Sequence, residues 1–368
     1  MTGVLPPAAW RDDPALHRVL AALDGESGGS LPRAVGGGLI TRAVGGAVRD
    51  TLAGLPVNDV DLATRLLPED VLERLRAGGI KAVPTGIAHG TITAVADGRP
   101  FEVTTLRRDV ATDGRRATIV YTDDWAEDAA RRDFTINAIY ADPISGALYD
   151  PVGGVADLAA RRVRFIGDAA ARIAEDHLRI LRWFRFVARF GDGASENETL
   201  ALISRSAPKL RALSRERIAD ELLRLLALAD PQVTIRLMVD AGIFREMAPE
   251  VEGAASERLA RLVRAEAAAA LAADPIRRLI ALLPPDARLA DGVAARLKLS
   301  KRIRSRIAAA LGPCAESAPR AIAYRLGREA AVDRALLAGD ATLTLAALEG
   351  WAAPRMPVSG GLLVARGL

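Results

Sequence analysis

Apolar and polar positions along the 368-residue chain follow two different rhythms. Up to about residue 160 the pattern changes every few residues. DPALHRVLAAL (13–23) repeats apolar residues at helical spacing and predicts a short amphipathic helix. Residues 39–44 read as a strand running into a glycine pair, with a helix after it, and residues 57–63 alternate as a strand does. Residues 91–96 and 101–106 are strand-like and flank Asp97-Gly98, a dipeptide that suits the positive φ angles of a two-residue hairpin turn. Residues 107–124 are polar, rich in Arg and Asp, and contain Gly114; they read as a mobile loop.

After about residue 165 the period becomes helical and stays so. EDHLRILRWFRFVARF (175–190) predicts one helix closed at Gly191, and SRERIADELLRLLALA (214–229) another, with Ser214 as N-cap. Further helical segments continue to the C-terminus, broken at joints such as Leu283-Pro284-Pro285-Asp286. The expected class is α+β: a head with a mixed sheet and helices, followed by an all-helical remainder.

Composition narrows the choices. Half the residues are hydrophobic but only 4% are aromatic, which favours a helix-rich chain. A net charge of +4 permits a nucleic-acid partner without demanding one. Of the 50 basic residues only Lys81, Lys209, Lys298 and Lys301 are lysines, and guanidinium forks suit phosphates and base edges. Cys314 is the single cysteine, so no intrachain disulfide forms, and His17, His89 and His177 lack metal-ligand spacing. The first residues lack a signal-peptide pattern, and Arg, Asp and Pro interrupt every apolar run. A cytoplasmic protein without membrane contact is expected.

The densest chemistry lies in AVGGAVRD (43–50) and NDVDLAT (58–64). Gly45 and Gly46, between strand and helix, let backbone N–H groups approach a phosphate closely, and Arg49 adds a fork one turn in. Asp59 and Asp61 stand at i and i+2 on a strand, facing one way with Val60 and Leu62 facing the other. Two carboxylates side by side repel unless a cation separates them, so they suit divalent metal, with Mg²⁺ expected. Nucleotidyl transfer needs such a pair: one ion activates the attacking hydroxyl and a second neutralises the triphosphate. Glu102, in a neighbouring strand, is either a third metal carboxylate or a solvated strand residue.

These residues, with RRDFTINA (131–138), DPVGG (150–154), EDHLRILRWFR (175–185) and LSRERIADELL (213–223), run in one order over residues 43–226. Together they resemble the signature blocks of class II CCA-adding enzymes and bacterial poly(A) polymerases, members of the polymerase-β-like nucleotidyltransferase superfamily. The resemblance implies an N-terminal helix (1–24), a catalytic head (25–160), a helical neck reading the nucleobase (161–230) and a helical body and tail binding RNA (231–368). It implies that Gly46 and Arg49 bind the triphosphate and that Asp59 and Asp61 bind Mg²⁺. Arg132 is then the expected nucleotide contact, with Asp133 and Asn137 near the sugar; Arg131 is either its substitute or part of a salt bridge.

On the neck helix, Asp176 can accept from the exocyclic amino group that C and A share, and Arg179 can donate to the ring nitrogen or the cytosine carbonyl. Three residues apart on one helix they would brace each other. Arg182 and Arg185 extend the series, although each three-residue step turns about −60°, so Arg185 falls about 180° from Asp176. Arg185 therefore reaches the nucleotide only if the helix distorts or its long side chain wraps round, and otherwise binds another part of the neck. By the same resemblance, the 107–124 loop helps the pocket switch from CTP to ATP, and the C-terminal third holds tRNA, with no DNA expected. The basic face KRIRSR (301–306) is a weak RNA signal, and MPVSGGLL (356–363) looks like the start of a closing segment. No His-Asp phosphohydrolase motif appears.

The expected reaction is addition of CMP and AMP, from CTP and ATP, to a tRNA 3′ end. The alternatives are poly(A) polymerase, an A-only adder, a non-catalytic RNA-binding protein, and transfer to a small-molecule acceptor.

Overall fold

The computed structural model describes residues 3–25, 40–113, 116–192, 197–354 and 366, with the backbone alone for 109–113 and 116–118. Gly114 and residues 356–363 lie outside the described residues. The chain divides into two compact units, residues 1–179 with 190–196, and residues 180–189 with 197–368.

The first unit is built on a seven-stranded sheet. Helix α1 (Pro14–Asp24) starts where Asp13 accepts from the Ala15 N–H, a side-chain cap on an otherwise orphan donor. Strand β1 (Thr41–Val44) runs into α2 (Gly46–Leu52), and β2 (Asp61–Thr64) precedes α3 (Pro68–Ala77). Then come β3 (Lys81–Gly86), β4 (Thr91–Ala96), β5 (Arg99–Thr105), β6 (Arg107–Asp113) and β7 (Arg116–Tyr121). After α4 (Trp125–Ala130) follow β8 (Tyr140–Ala141), β9 (Leu148–Tyr149), α5 (Gly154–Ala159) and α6 (Ala169–Glu175). The sheet order is β3-β4-β5-β2-β1-β8-β9, with β2 and β5 parallel and the other pairs antiparallel.

One face of this sheet is apolar because alternate residues supply it. Leu62, Ile92, Phe101 and Val103 bury themselves against Leu16, Val19 and Leu20 of α1 and Val71 and Leu75 of α3. The opposite face carries a smaller core of Val44, Ala63, Leu106, Trp125 and Tyr140, and beyond it the polar residues of the site.

Several expectations change. Within 107–124, residues expected as loop form strands: β6 and β7 pair antiparallel, from Arg107↔Tyr121 to Asp113↔Arg116. Their polarity misleads because a two-stranded ribbon has little core to bury. The β4–β5 turn does form, with φ 50 at Asp97 and 78 at Gly98. Strand β2 begins at Asp61 instead of residue 57, yet burial still alternates from exposed Asp59 through buried Val60 to exposed Asp61 and buried Leu62. Strand β3 and helix α3 went unpredicted.

The expected single helix 175–190 is broken. Helix α6 ends at Glu175, Asp176 is extended (φ −150, ψ 107), and α7 (Arg179–Phe190) starts afresh. Asp176 Oδ1 accepts from the Leu178 N–H at 3.0 Å, an Asx-type turn that competes with helix continuation.

The second unit holds eleven α-helices between Asn197 and Leu348 among the described residues. Ser214 does sit at the N-cap of Arg215–Leu226, but its hydroxyl makes no capping bond. Buried ion pairs tie this unit: Glu266 takes Arg277 and Arg278, and Asp333 takes Arg277 and Arg306, all at 2.7–2.9 Å. The basic face of Lys301–Leu311 is thereby reduced, since Arg306 turns inward and Arg304 pairs with Asp291 at 2.7 Å. Lys301 and Arg302 remain exposed.

Candidate active site

The site begins where β1 ends. Val44 pairs with Asp61, so the turn at Gly45 opens beside the first residue of β2. Gly45 has φ 69 and ψ −119, a conformation closed to residues with a Cβ, and caps α2. Arg49 is buried: it donates to Asp50 Oδ1 at 2.8 Å and to Asn137 Oδ1 at 2.5 Å, and lies 4.5 Å over the Phe190 ring. Asn137 in turn donates to Asp133 Oδ1 at 2.9 Å. A single hydrogen-bonded chain therefore joins Arg49 of one sequence block to Asn137 and Asp133 of another.

That chain is held from behind. The tight turn Thr135–Asn137 is anchored by Thr135 Oγ1, which donates to buried Asp157 at 2.6 Å. Helix α5 approaches so closely that a Cβ on Gly154 would lie 2.2 Å from the Thr135 carbonyl oxygen. Gly154 of DPVGG is thus a packing residue for the loop that carries Asn137.

Arg131 and Arg132 share one carboxylate, Asp128, at 2.8 and 2.9 Å, and Tyr140 OH donates to the same Asp128 Oδ2 at 2.7 Å. Burial would raise the Asp128 pKa, but Arg132, Arg131 and Tyr140 overcome it and hold the group near about 2. Arg132 lies beside the Gly45 turn, its Nη1 3.9 Å from where a Cβ there would stand. Its charge also reaches Asp61. Arg131 makes the salt bridge within the head that was one of its two alternatives. Asp128 had no signal beyond its spacing of four residues before Arg132.

Glu102 pairs with Asp61 across the parallel β2–β5 ladder, placing both carboxylates on one face. The Asp61 pKa is pushed up by burial first, then by Glu102 and Asp59, with Arg132 opposing. Asp59, Asp61 and Glu102 make no ion pair among the described residues. Among the described residues no group of three or more His, Cys, Asp or Glu is gathered so as to hold a metal ion. A pair of carboxylates open to one side still fits Mg²⁺-type binding, in which substrate phosphates and water complete the shell.

Asp176 and Arg179 do not brace each other on one helix face, because Asp176 lies in the break between α6 and α7. Arg179 is held instead by Glu175, in a close ion pair, and by the Arg172 carbonyl at 2.9 Å. Glu175 was present in the motif but unassigned. In the second unit, Arg185 pairs with Glu221 at 2.7 Å and Arg182 lies 3.8 Å from the same carboxylate. The helical rotation between Asp176 and Arg185 does not apply across the break, and Arg185 binds the helix Arg215–Leu226.

A sheet that sets paired acids beside a glycine turn defines a polymerase-β-like nucleotidyltransferase head. Residues 41–164 match the family model described as the poly A polymerase head domain, and 195–254 that of the probable RNA and SrmB-binding site of polymerase A. The chain is 45% identical over 198 residues to the mitochondrial CCA tRNA nucleotidyltransferase 1 of Mus musculus, covering 53% of this chain and 45% of that protein. It is 38% identical over 199 residues to the CCA-adding enzyme of Latilactobacillus sakei, covering 54% and 49%. The match thus spans about half the length of these curated relatives. Among solved structures, the Bacillus stearothermophilus CCA-adding enzyme in complex with CTP is similar at a TM-score of 0.72 and 26% identity, covering 96% of this chain and 88% of that one. The chain belongs to the family of class II CCA tRNA nucleotidyltransferases and bacterial poly(A) polymerases. Polymerases of this kind are generally dependent on divalent metal. No helix among the described residues is long and apolar enough to cross a membrane.

Proposed function

We propose that this chain is a template-independent nucleotidyltransferase that adds CMP and AMP, from CTP and ATP, to the 3′ end of tRNA and releases pyrophosphate. The observation that carries the reading is the juxtaposition of the Gly45 turn, Arg132 and the Asp61–Glu102 pair on one sheet face. The names of the mouse, L. sakei and B. stearothermophilus relatives support tRNA as acceptor and CTP as donor.

In this reading the α2 amides after Gly45 and Gly46 receive the triphosphate, with Arg49 and Arg132 offsetting its charge. Asp133 and Asn137 meet the sugar. Asp59 and Asp61, with Glu102 beside them, hold Mg²⁺, which supplies charge neutralisation at the triphosphate and lowers the pKa of the attacking hydroxyl. Asp176 accepts the amino group common to C and A, while Arg179, oriented by Glu175, donates to the ring edge. Arg182 flanks the nucleotide and Arg185 extends the series from its pair with Glu221. Functionally the chain divides into an N-terminal helix (1–24), catalytic head (25–160), neck (161–230) and RNA-binding body and tail (231–368), and it works in the cytoplasm.

Extension of a tRNA transcript lacking its CCA end, with each nucleotide supplied separately and together, tests this. CMP addition with CTP alone, and AMP addition only after it, is the expected result. Long A tracts on general RNA would make it a poly(A) polymerase, and failure to use CTP an A-only adder.

A further inference from the structure

The outer face of the sheet changes character at the carboxylates. Toward β1 and β8 it carries Arg49 and Arg132. Toward β5, β4 and β3 it carries hydroxyls: Thr91 Oγ1 bonds Thr104 Oγ1 at 3.0 Å, and Thr85 Oγ1 bonds Thr93 Oγ1 at 2.7 Å. Thr93 pairs with Glu102, which pairs with Asp61, so the three stand in one cross-strand row on one face. Helices α1 and α3 cover the other face of these strands. Lys81, Thr85 and Glu102 are exposed, and Thr91, Thr93 and Thr104 half-buried.

Threonine favours strands for its shape alone. Valine would serve that purpose equally, and on this face it does so at Val83, paired with Thr93, and at Val95, paired with Lys81. The hydroxyls gather at the end next to Glu102, where a neutral, hydrogen-bonding surface meets the acids.

Resting on the nucleotidyl-transfer reading above, the triphosphate occupies the cationic side. In-line displacement at the α-phosphorus then requires the attacking hydroxyl to arrive from the opposite side, over β5 and β4. A terminal ribose carries hydroxyls that both donate and accept, as threonine hydroxyls do. We propose that Thr93, supported by Thr85 and by the Thr91–Thr104 pair, is a positioning residue that holds the 3′-terminal ribose of the RNA acceptor beside Glu102 and Asp61. Lys81, one strand row farther out, meets a phosphate of the preceding nucleotides as a point charge.

Thr93→Val keeps shape and strand preference while removing the hydroxyl. With acceptors ending in ribose or 2′-deoxyribose, the unaltered chain favours ribose by roughly five- to tenfold in kcat/KM, and Thr93→Val erases most of that preference. The KM for CTP stays within about twofold, because a single hydroxyl on the acceptor side leaves the donor contacts intact. In RNA-binding titrations without nucleotide, Lys81→Ala lowers the slope of log K against log salt by roughly 0.7 to 1. Unchanged ribose preference in Thr93→Val together with an unchanged salt slope in Lys81→Ala would overturn the acceptor subsite while leaving transfer intact. A chain that binds RNA but incorporates nothing refutes the transfer reading instead; the subsite then stands or falls on the same two comparisons made in binding.

Discussion

The sheet face of the head and the helix junction around Glu266 use the same two groups, arginine and carboxylate, in opposite balance. At the junction every acid is answered: Glu266 by Arg277 and Arg278, Asp333 by Arg277 and Arg306, Asp274 by Arg306. Although burial would raise the Asp274 pKa, hydrogen bonding from Arg306 keeps it below its ordinary value. In the head, Asp59, Asp61 and Glu102 make no ion pair among the described residues, and the Asp61 pKa is raised by burial first, then by Glu102 and Asp59. A closed balance holds a fold, whereas a surplus of one sign waits for a ligand to complete it.

Removing the surplus has the largest expected effect. Asp61→Asn should lower nucleotide incorporation by about three orders of magnitude or more while leaving the unfolding midpoint near or above that of the parent chain. Loss of folding in step with activity would erase the contrast.

Breaking the closed balance should act the other way. Glu266→Ala leaves the buried Arg278 without its carboxylate and Arg277 with Asp333 as its close partner, and should cost about 3–5 kcal/mol in denaturant unfolding. Incorporation per folded molecule should not change. A selective loss of kcat without loss of stability would make this junction functional after all.

Asp128 lies between the two cases, being closed around Arg131 and Arg132 yet next to the site. Its folded pKa of about 2 lies below the ordinary 3.8, so its stabilisation is present above about pH 4 and fades as pH falls toward 2. Asp128→Asn should remove on the order of 2 kcal/mol at neutral pH, flatten the acid limb of the stability curve, and raise the KM for CTP as Arg132 loosens. An unchanged acid limb would contradict the assigned ion pairs.

The smallest effect belongs to Asp24, whose pKa burial raises to about 6 although Thr41 Oγ1 donates to it at 2.8 Å. For a raised acid the sign reverses: stability is full below pH 3.8 and declines as pH rises through 6. Asp24→Asn, which keeps an acceptor for Thr41, should therefore stabilise the protein by roughly 1–2 kcal/mol at pH 7 and leave it unchanged at pH 4. Equal melting temperatures at pH 7 would refute the shift.

What could be read beforehand follows from how local each signal is. The glycine turn, the alternation around Asp61 and the Asp97-Gly98 hairpin depend on neighbours within a few residues, so their pattern is written in order along the chain. The β6–β7 hairpin escaped because its polarity resembles that of a loop. The break at Asp176 escaped because a side-chain turn to the Leu178 N–H interrupts an otherwise helical period. Asp128, Glu175 and Glu221 are ordinary acids in sequence and acquire meaning only through the arginines they hold.

By itself the sequence determined the α+β division and the family, since these rest on motif order and short-range periodicity. Tertiary structure alone decided which guanidinium faces which acid. Asp61 and Glu102 are 41 positions apart in the chain, yet become neighbours by pairing β2 with β5 in parallel, a contact set by burial of Leu62 and Val103 behind them. The glycine-flanked acids with which the chemistry begins are local; the surplus of charge that makes them a site is assembled by the fold.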